Sequence, residues 1–292
     1  MIKITSAFNT LDRIKELKNN LLYVSSLSAT KAVDVDKIEF VTPLAITPIA
    51  ADINSRNLEI RYNGQDVQYL KVIHFPDGVT EIESLGNGKS YLPIIRLRLS
   101  QLSKQDRNKN LNALHSRFLN LLKLNVIAEP KFIELISNNT FGYLMGEMLD
   151  NIEEHAQADN VYVFAQYWPK SNACELCILD DGDGLLGSLK KANREVTDDL
   201  DALKKIIDTG LSSKTEHGDI KRGMGIKSTR AAITNRELNG EFFIMSGKAA
   251  FLHSATNGSN FINFSDYSWK GTVVMMKLNR PTSAFNLYNY VE

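Results

Sequence analysis

"ILDDGDGLLG", Ile178 to Gly187, decides how the C-terminal half of this chain is read. The run "ACELCILDD", starting at Ala173, has the pattern of a strand, and Asp180 falls where that strand ends. Gly182 and Gly184 follow at a spacing of two. Glycines there let the backbone turn sharply and approach a flat ligand closely. A carboxylate held by such a turn can accept a hydrogen bond from an amino group on that ligand. The competing readings are an ordinary Gly-rich turn and a calcium loop. An EF-hand loop needs further oxygen ligands and a closing Glu at fixed spacing, and "LLGSLKK" supplies neither.

Working outward, "GEMLDNIEEHA" (Gly146 to Ala156) has helical periodicity. Met145, Met148, Leu149 and Ile152 form an apolar arc, and Glu147, Asn151 and His155 line a stripe beside it at four-residue spacing. Alone, that stripe reads more readily as a solvated helix rim than as a site. Downstream, "IKRGMGIKSTRAAI" puts Gly223 and Gly225 directly before a helix, where free N–H groups and the helix dipole favour an anion. Lys221, Arg222 and Lys214 add positive charge suited to a polyphosphate. A lone G-x-G before a helix is weak. A Glu/Asn helix, an Asp-Gly-Gly strand exit, a basic loop and a glycine-led helix, in that order, make one nucleotide site.

These stretches resemble the GHKL ATP-binding family of sensor histidine kinases, anti-sigma kinases, gyrase and mismatch-repair ATPases and heat-shock chaperones. "GEMLDNIEEHAQADNVYV" resembles its N box, "LDDGDGL" its G1 box, "RGMGIKSTRAAI" its G2 box and "KGTVVMMKL" its closing Gly-Thr strand. The resemblance spans about 125–292 and implies an α+β two-layer sandwich within the α/β class, a mixed sheet covered on one face by helices. It also implies ATP and Mg²⁺ as ligands. Asn151 would supply an amide oxygen to Mg²⁺, and Asp180 would meet the adenine amino group. Gly182 and Gly184 would let the chain pass the base, and Thr272 would reach the adenine through water. Residues 185–222 would form an ATP lid hinged at Gly223 and Gly225, with Lys214 on the γ-phosphate. Glu147 would be the general base, with His155 supporting it or the lid.

At 292 residues, with 43% hydrophobic and 23% charged residues, the chain has globular composition. Thirty-four basic residues balance 34 acidic ones, so no overall field favours nucleic acid. No signal-like leader or membrane-length apolar run is seen, and a cytoplasmic protein is expected. Cys174 and Cys177, three apart on a strand, should point to opposite faces as ordinary buried residues.

Residues 1–105 read as a small α/β regulatory or docking domain, and 106–292 as the ATP-binding domain. "KIEFVTP" reads as a strand stopping at Pro43, followed by a short helix with Pro48 near its start. "YLPIIRLRLS" reads as the last strand of the first unit. Residues 34–64 resemble, weakly, the strand–helix–strand core of STAS domains, with Pro43 and Leu44 where that family's serines would stand.

The expected function is an Mg-ATP-binding regulatory protein acting as an ATP hydrolase or serine/threonine kinase with a protein partner. The alternatives are a non-catalytic ATP-dependent switch and a divergent histidine kinase using His115. For the last, only 35 residues separate His115 from Asn151, too few for a helical hairpin plus the start of the ATP domain. Oligomeric state, including a homodimer, is open.

Overall fold

The computed structural model describes residues 1–4, 9–27, 31–63, 67–85, 90–126, 146, 157–212, 225–255 and 257–281. Short β-branched segments alternate with apolar helices at the start of the chain. Strands β1 (Ile2–Ile4), β2 (Val33–Ile38) and β3 (Ile60–Tyr62) pair in parallel, in the order β1-β2-β3. Parallel neighbours need crossovers, and helices α1 (Thr10–Ser25) and α2 (Pro43–Ser55) supply them, with a short α3 (Gln68–Val72) after β3.

Helix α2 is capped by Thr42, whose side chain accepts from the Ala45 N–H, and Pro43 occupies its first turn, where a missing N–H costs nothing. Strand β2 therefore ends at Ile38, before the expected "FVTP" segment, and Pro48 lies inside the helix. Every residue from Pro43 to Ile53 is buried. A helix apolar all round must be covered all round. One side of α2 meets α1, and another meets a second, larger sheet.

That sheet has seven strands. They are β4 (Tyr91–Arg98), β5 (Asn160–Trp168), β6 (Ala173–Asp180), β7 (Glu241–Gly247), β8 (Ala249–Ser254), β9 (Gly258–Asn263) and β10 (Trp269–Asn279). The order is β4-β5-β6-β10-β7-β8-β9, and each neighbouring pair is antiparallel. The α+β class is the one expected, with two differences of detail. The large sheet is antiparallel rather than mixed, and both of its faces are covered. Strand β4, read from sequence as the end of the first unit, pairs with β5.

The pleat divides the strands between two cores. Cys174, Leu176 and Ile178 of β6 and Val274, Met276 and Leu278 of β10 face the first core, with α4 (Lys104–Asn125), α6 (Asp199–Thr209) and α7 (Gly225–Ile233). Cys177 and Leu179, with Val273 and Met275, face the second, where the N-terminal unit packs. Leu44, Ile46, Ile49 and Ile53 of α2 are at most 1% exposed. Each such side chain contributes about 1.5–3 kcal/mol on burial, so hydrophobic packing holds the first unit to the sheet. No helix among the described residues is long and apolar enough to cross a membrane.

The expected lid, 185–222, is not a continuous loop. Its first part folds as α5 (Gly184–Lys191) and α6, with Leu189, Ala202, Leu203, Ile206 and Ile207 buried. The cap of α6 is Asp198, whose side chain accepts from the Asp201 N–H. Residues 213–224 lie outside the described residues.

Candidate functional site

Strand β10 is last in the chain but central in the sheet, and this brings the Gly-Thr pair beside the Asp-Gly-Gly turn. In the β6–β10 register Val273 faces Leu179, so the next step outward sets Thr272 against Asp180. The Thr272 backbone N–H donates to the Asp180 carboxylate. Oδ1 of Asp180 also accepts from the Gly182 N–H at 2.9 Å, and its carbonyl accepts from the Trp269 indole N–H at 3.2 Å.

Asp180 is 4% exposed. Burial pushes its carboxyl up to about 7; the Gly182 and Thr272 N–H groups pull it down, and Asp181 and Asp183 push it further up. A carboxyl kept in low dielectric without a cationic partner is costly, and such groups cluster at functional sites.

Two close approaches shape the surroundings. Gly271 has φ +97°, and a Cβ there would lie 2.1 Å from the Asp180 carbonyl oxygen and 2.7 Å from Oδ1. Gly184 has φ +68°, and its Cβ would lie 2.7 Å from Ser246 Oγ. That hydroxyl accepts from the Leu185 N–H and donates to the Gly271 carbonyl, both at 2.9 Å. It thereby ties the start of α5 to β10. Gly184 carries the left-handed turn, whereas Gly182 contributes its N–H.

The neighbouring acids have other tasks. Asp181 Oδ1 accepts from the Asp159 and Asn160 N–H groups, both at 2.8 Å, fixing the entry to β5. Asp183 pairs with Lys191 at 2.6 Å. Of three acids in "DDGD", one is left for a ligand.

Helices α5 and α7 lie over the same two strands, β7 and β10. Gly225 opens α7, and the buried Ser228 Oγ and Thr229 Oγ1 in that helix have no hydrogen-bond partner among the described residues. The structure thus brings together Asp180, Gly182, Gly184 and Thr272 and sets Gly225 on a helix over the same strands. Glu147, Asn151, His155, Lys214 and Gly223 lie outside the described residues. Among the described residues no cluster of three His, Cys, Asp or Glu could hold a metal.

Sequence reasoning missed Ser246, Gly271 as a close-approach position, and Trp269. Ser246 sits in an apolar strand and carries no local signal; its role exists only once β7 and β10 are paired. His115 lies half-buried on α4, a helix packed against β4 and β5. Cys174 and Cys177 are free, buried and on opposite faces, as the strand spacing predicts.

A comparison with protein-family models found no match, and a comparison with curated proteins found none.

Proposed function

We propose that the β6–β10 site binds the adenine base of ATP, and that the chain is an Mg-ATP-dependent regulatory protein. The observation that carries this reading is the buried Asp180 carboxyl, oriented by two backbone N–H groups and walled by Gly271. Its carboxylate has acceptor capacity beyond the two backbone N–H groups, which suits a planar partner that passes Gly271 and donates an N–H to it. The exocyclic amino group of adenine is such a donor. The unsatisfied Ser228 and Thr229 hydroxyls on α7 are compatible with a polar ligand nearby.

Asn151 would hold Mg²⁺ through its amide oxygen, with phosphate and water completing the shell. Glu147 would orient or deprotonate the attacking water or protein hydroxyl, a role that contributes ~10²–10⁴-fold. Lys214, Gly223 and Gly225 would meet the phosphates.

Calorimetric titration of the full chain with Mg-ATP tests the reading. Saturable binding, lost in Asp180→Asn, is expected; unaltered affinity in that variant would overturn it. Following the label of γ-labelled ATP separates hydrolysis from transfer to a protein, and Glu147→Ala should remove either while keeping binding.

A non-catalytic switch is the second reading. It is favoured by the packing of α2 against β6 and β10, the strands that also carry Asp180 and Thr272. Retained partner binding in Glu147→Ala with a non-hydrolysable analogue would select it. A histidine kinase has less support, since α4 packs on the sheet; acid-labile phosphate on His115 would restore it.

A further inference from the structure

We propose that a cavity of about 670 Å³ between the N-terminal unit and the far end of the sheet is a second ligand site, for a small monoanion with a flat apolar body, such as an aromatic carboxylate. It lies where β6 begins and β10 ends, with Ala173, Glu175 and Lys277 in its wall. Seven residues of strand separate Ala173 from Asp180, about 23 Å at the usual rise, so this is not the nucleotide site. Its volume is within the usual range for small-molecule pockets.

The charges lining it define the ligand. Glu175 is fully buried and doubly matched: it accepts from Arg13 Nη1 at 2.7 Å and from the Leu44 N–H at 2.9 Å. Lys277 is matched by Glu241 at 2.6 Å, and Glu241 also accepts from the Thr10 hydroxyl. Among the described residues three cations therefore stand against two carboxylates, and the charge left over is that of Lys170, exposed on the β5–β6 turn.

One surplus cation beside an already neutralised floor favours a single negative charge. A dianion would have to compete with Glu175 for Arg13, breaking a buried pair. Two aromatic rings share the remaining wall with Thr42, Pro169, Ser171 and Asn279. Phe40, 44% exposed, and Trp168 stand with ring centroids 5.6 Å apart at the cavity, a surface for a flat apolar body.

The test uses the full chain without nucleotide, titrated calorimetrically with 2-naphthoate and with its uncharged analogue 2-naphthamide. One-to-one naphthoate binding, at least tenfold tighter than naphthamide, is expected. Lys170→Ala should erase the preference for the anion without altering the melting temperature. Phe40→Ala should weaken both ligands, and Ser171→Trp, on the exposed turn at the cavity, should exclude both. Asp180→Asn should bind naphthoate as the parent does, which separates failure here from failure of the nucleotide reading. Absence of saturable binding, equal affinity for the two probes, or binding indifferent to Ser171→Trp would each overturn the proposal.

Discussion

Gly271 passes so close to Asp180 that a single added methyl would lie 2.1 Å from the Asp180 carbonyl oxygen. The bulge in β10 between Trp269 and Thr272 permits this approach and turns the Thr272 N–H onto the carboxylate. Site and scaffold are one construction at this point.

Gly271→Ala should therefore combine backbone strain with a backbone clash, destabilising the chain by more than about 2 kcal/mol and abolishing nucleotide binding. Gly258→Ala is the matched control: φ is +60° there, but nothing lies within 4 Å of the added Cβ. It should cost only about 1 kcal/mol. Denaturant midpoints of the two variants give the comparison, and equal losses would refute the close-approach account.

Asp180 sets a pH dependence with a definite sign. Its folded carboxyl titrates near 7, above the ordinary aspartate range, so the folded state holds a proton that the unfolded state has released. Stability from this group should fall as pH rises from about 4 to about 7 and then level off, by an amount on the order of a few kcal/mol. Asp180→Asn should be more stable than the parent at pH 8 and should flatten that slope. Urea titrations at pH 5 and pH 8 measure it.

The same carboxyl should couple binding to protons. An amino donor on the ligand favours the ionised form, so Mg-ATP affinity should rise between pH 6 and pH 8 with uptake of base. Calorimetry in buffers of different ionisation enthalpy would detect the proton release, and a pH-independent affinity would count against an amino donor on Asp180.

Arg13 and Glu175 join α1 to β6 through a buried ion pair. Removing one partner strands the other, so Arg13→Ala should cost about 3–5 kcal/mol. Arg13→Met with Glu175→Leu should recover much of that loss, because an apolar pair needs no compensation. A double-mutant cycle on unfolding free energies decides it.

Burial pushes both the Cys174 and Cys177 thiols up, so neither offers thiolate near neutral pH. A thiol reagent should react with the native chain only at the rate of unfolding, and with both thiols at once in denaturant. Rapid labelling of either thiol in the native state would show that its face of the sheet is not covered.

The sequence by itself determined the local elements that rest on period and punctuation. The strand at Ala173, the glycine turn after Asp180, the closing Gly-Thr strand and the opposite facing of the two cysteines were all legible, because side-chain alternation and backbone freedom act within a few residues. The helix at Gly184 was hidden by its polar surroundings; its apolar side chains acquire a partner only when they reach the sheet and α6.

Only the tertiary structure decided that β10 enters between β6 and β7, setting Thr272 and Gly271 on Asp180. It also decided that Asp181 is an anchor for β5 and that Ser246 bridges α5 to β10. Strand β4 likewise joins the large sheet through β5 while its backbone still bonds Ile73 and Val79 of the N-terminal unit, since an edge strand's partner is chosen by packing and not by its place in the chain. The same is true of α2. Its sequence says that it must be covered on all sides, and the fold supplies the cover: the sheet face opposite the helices, held by the Arg13–Glu175 pair.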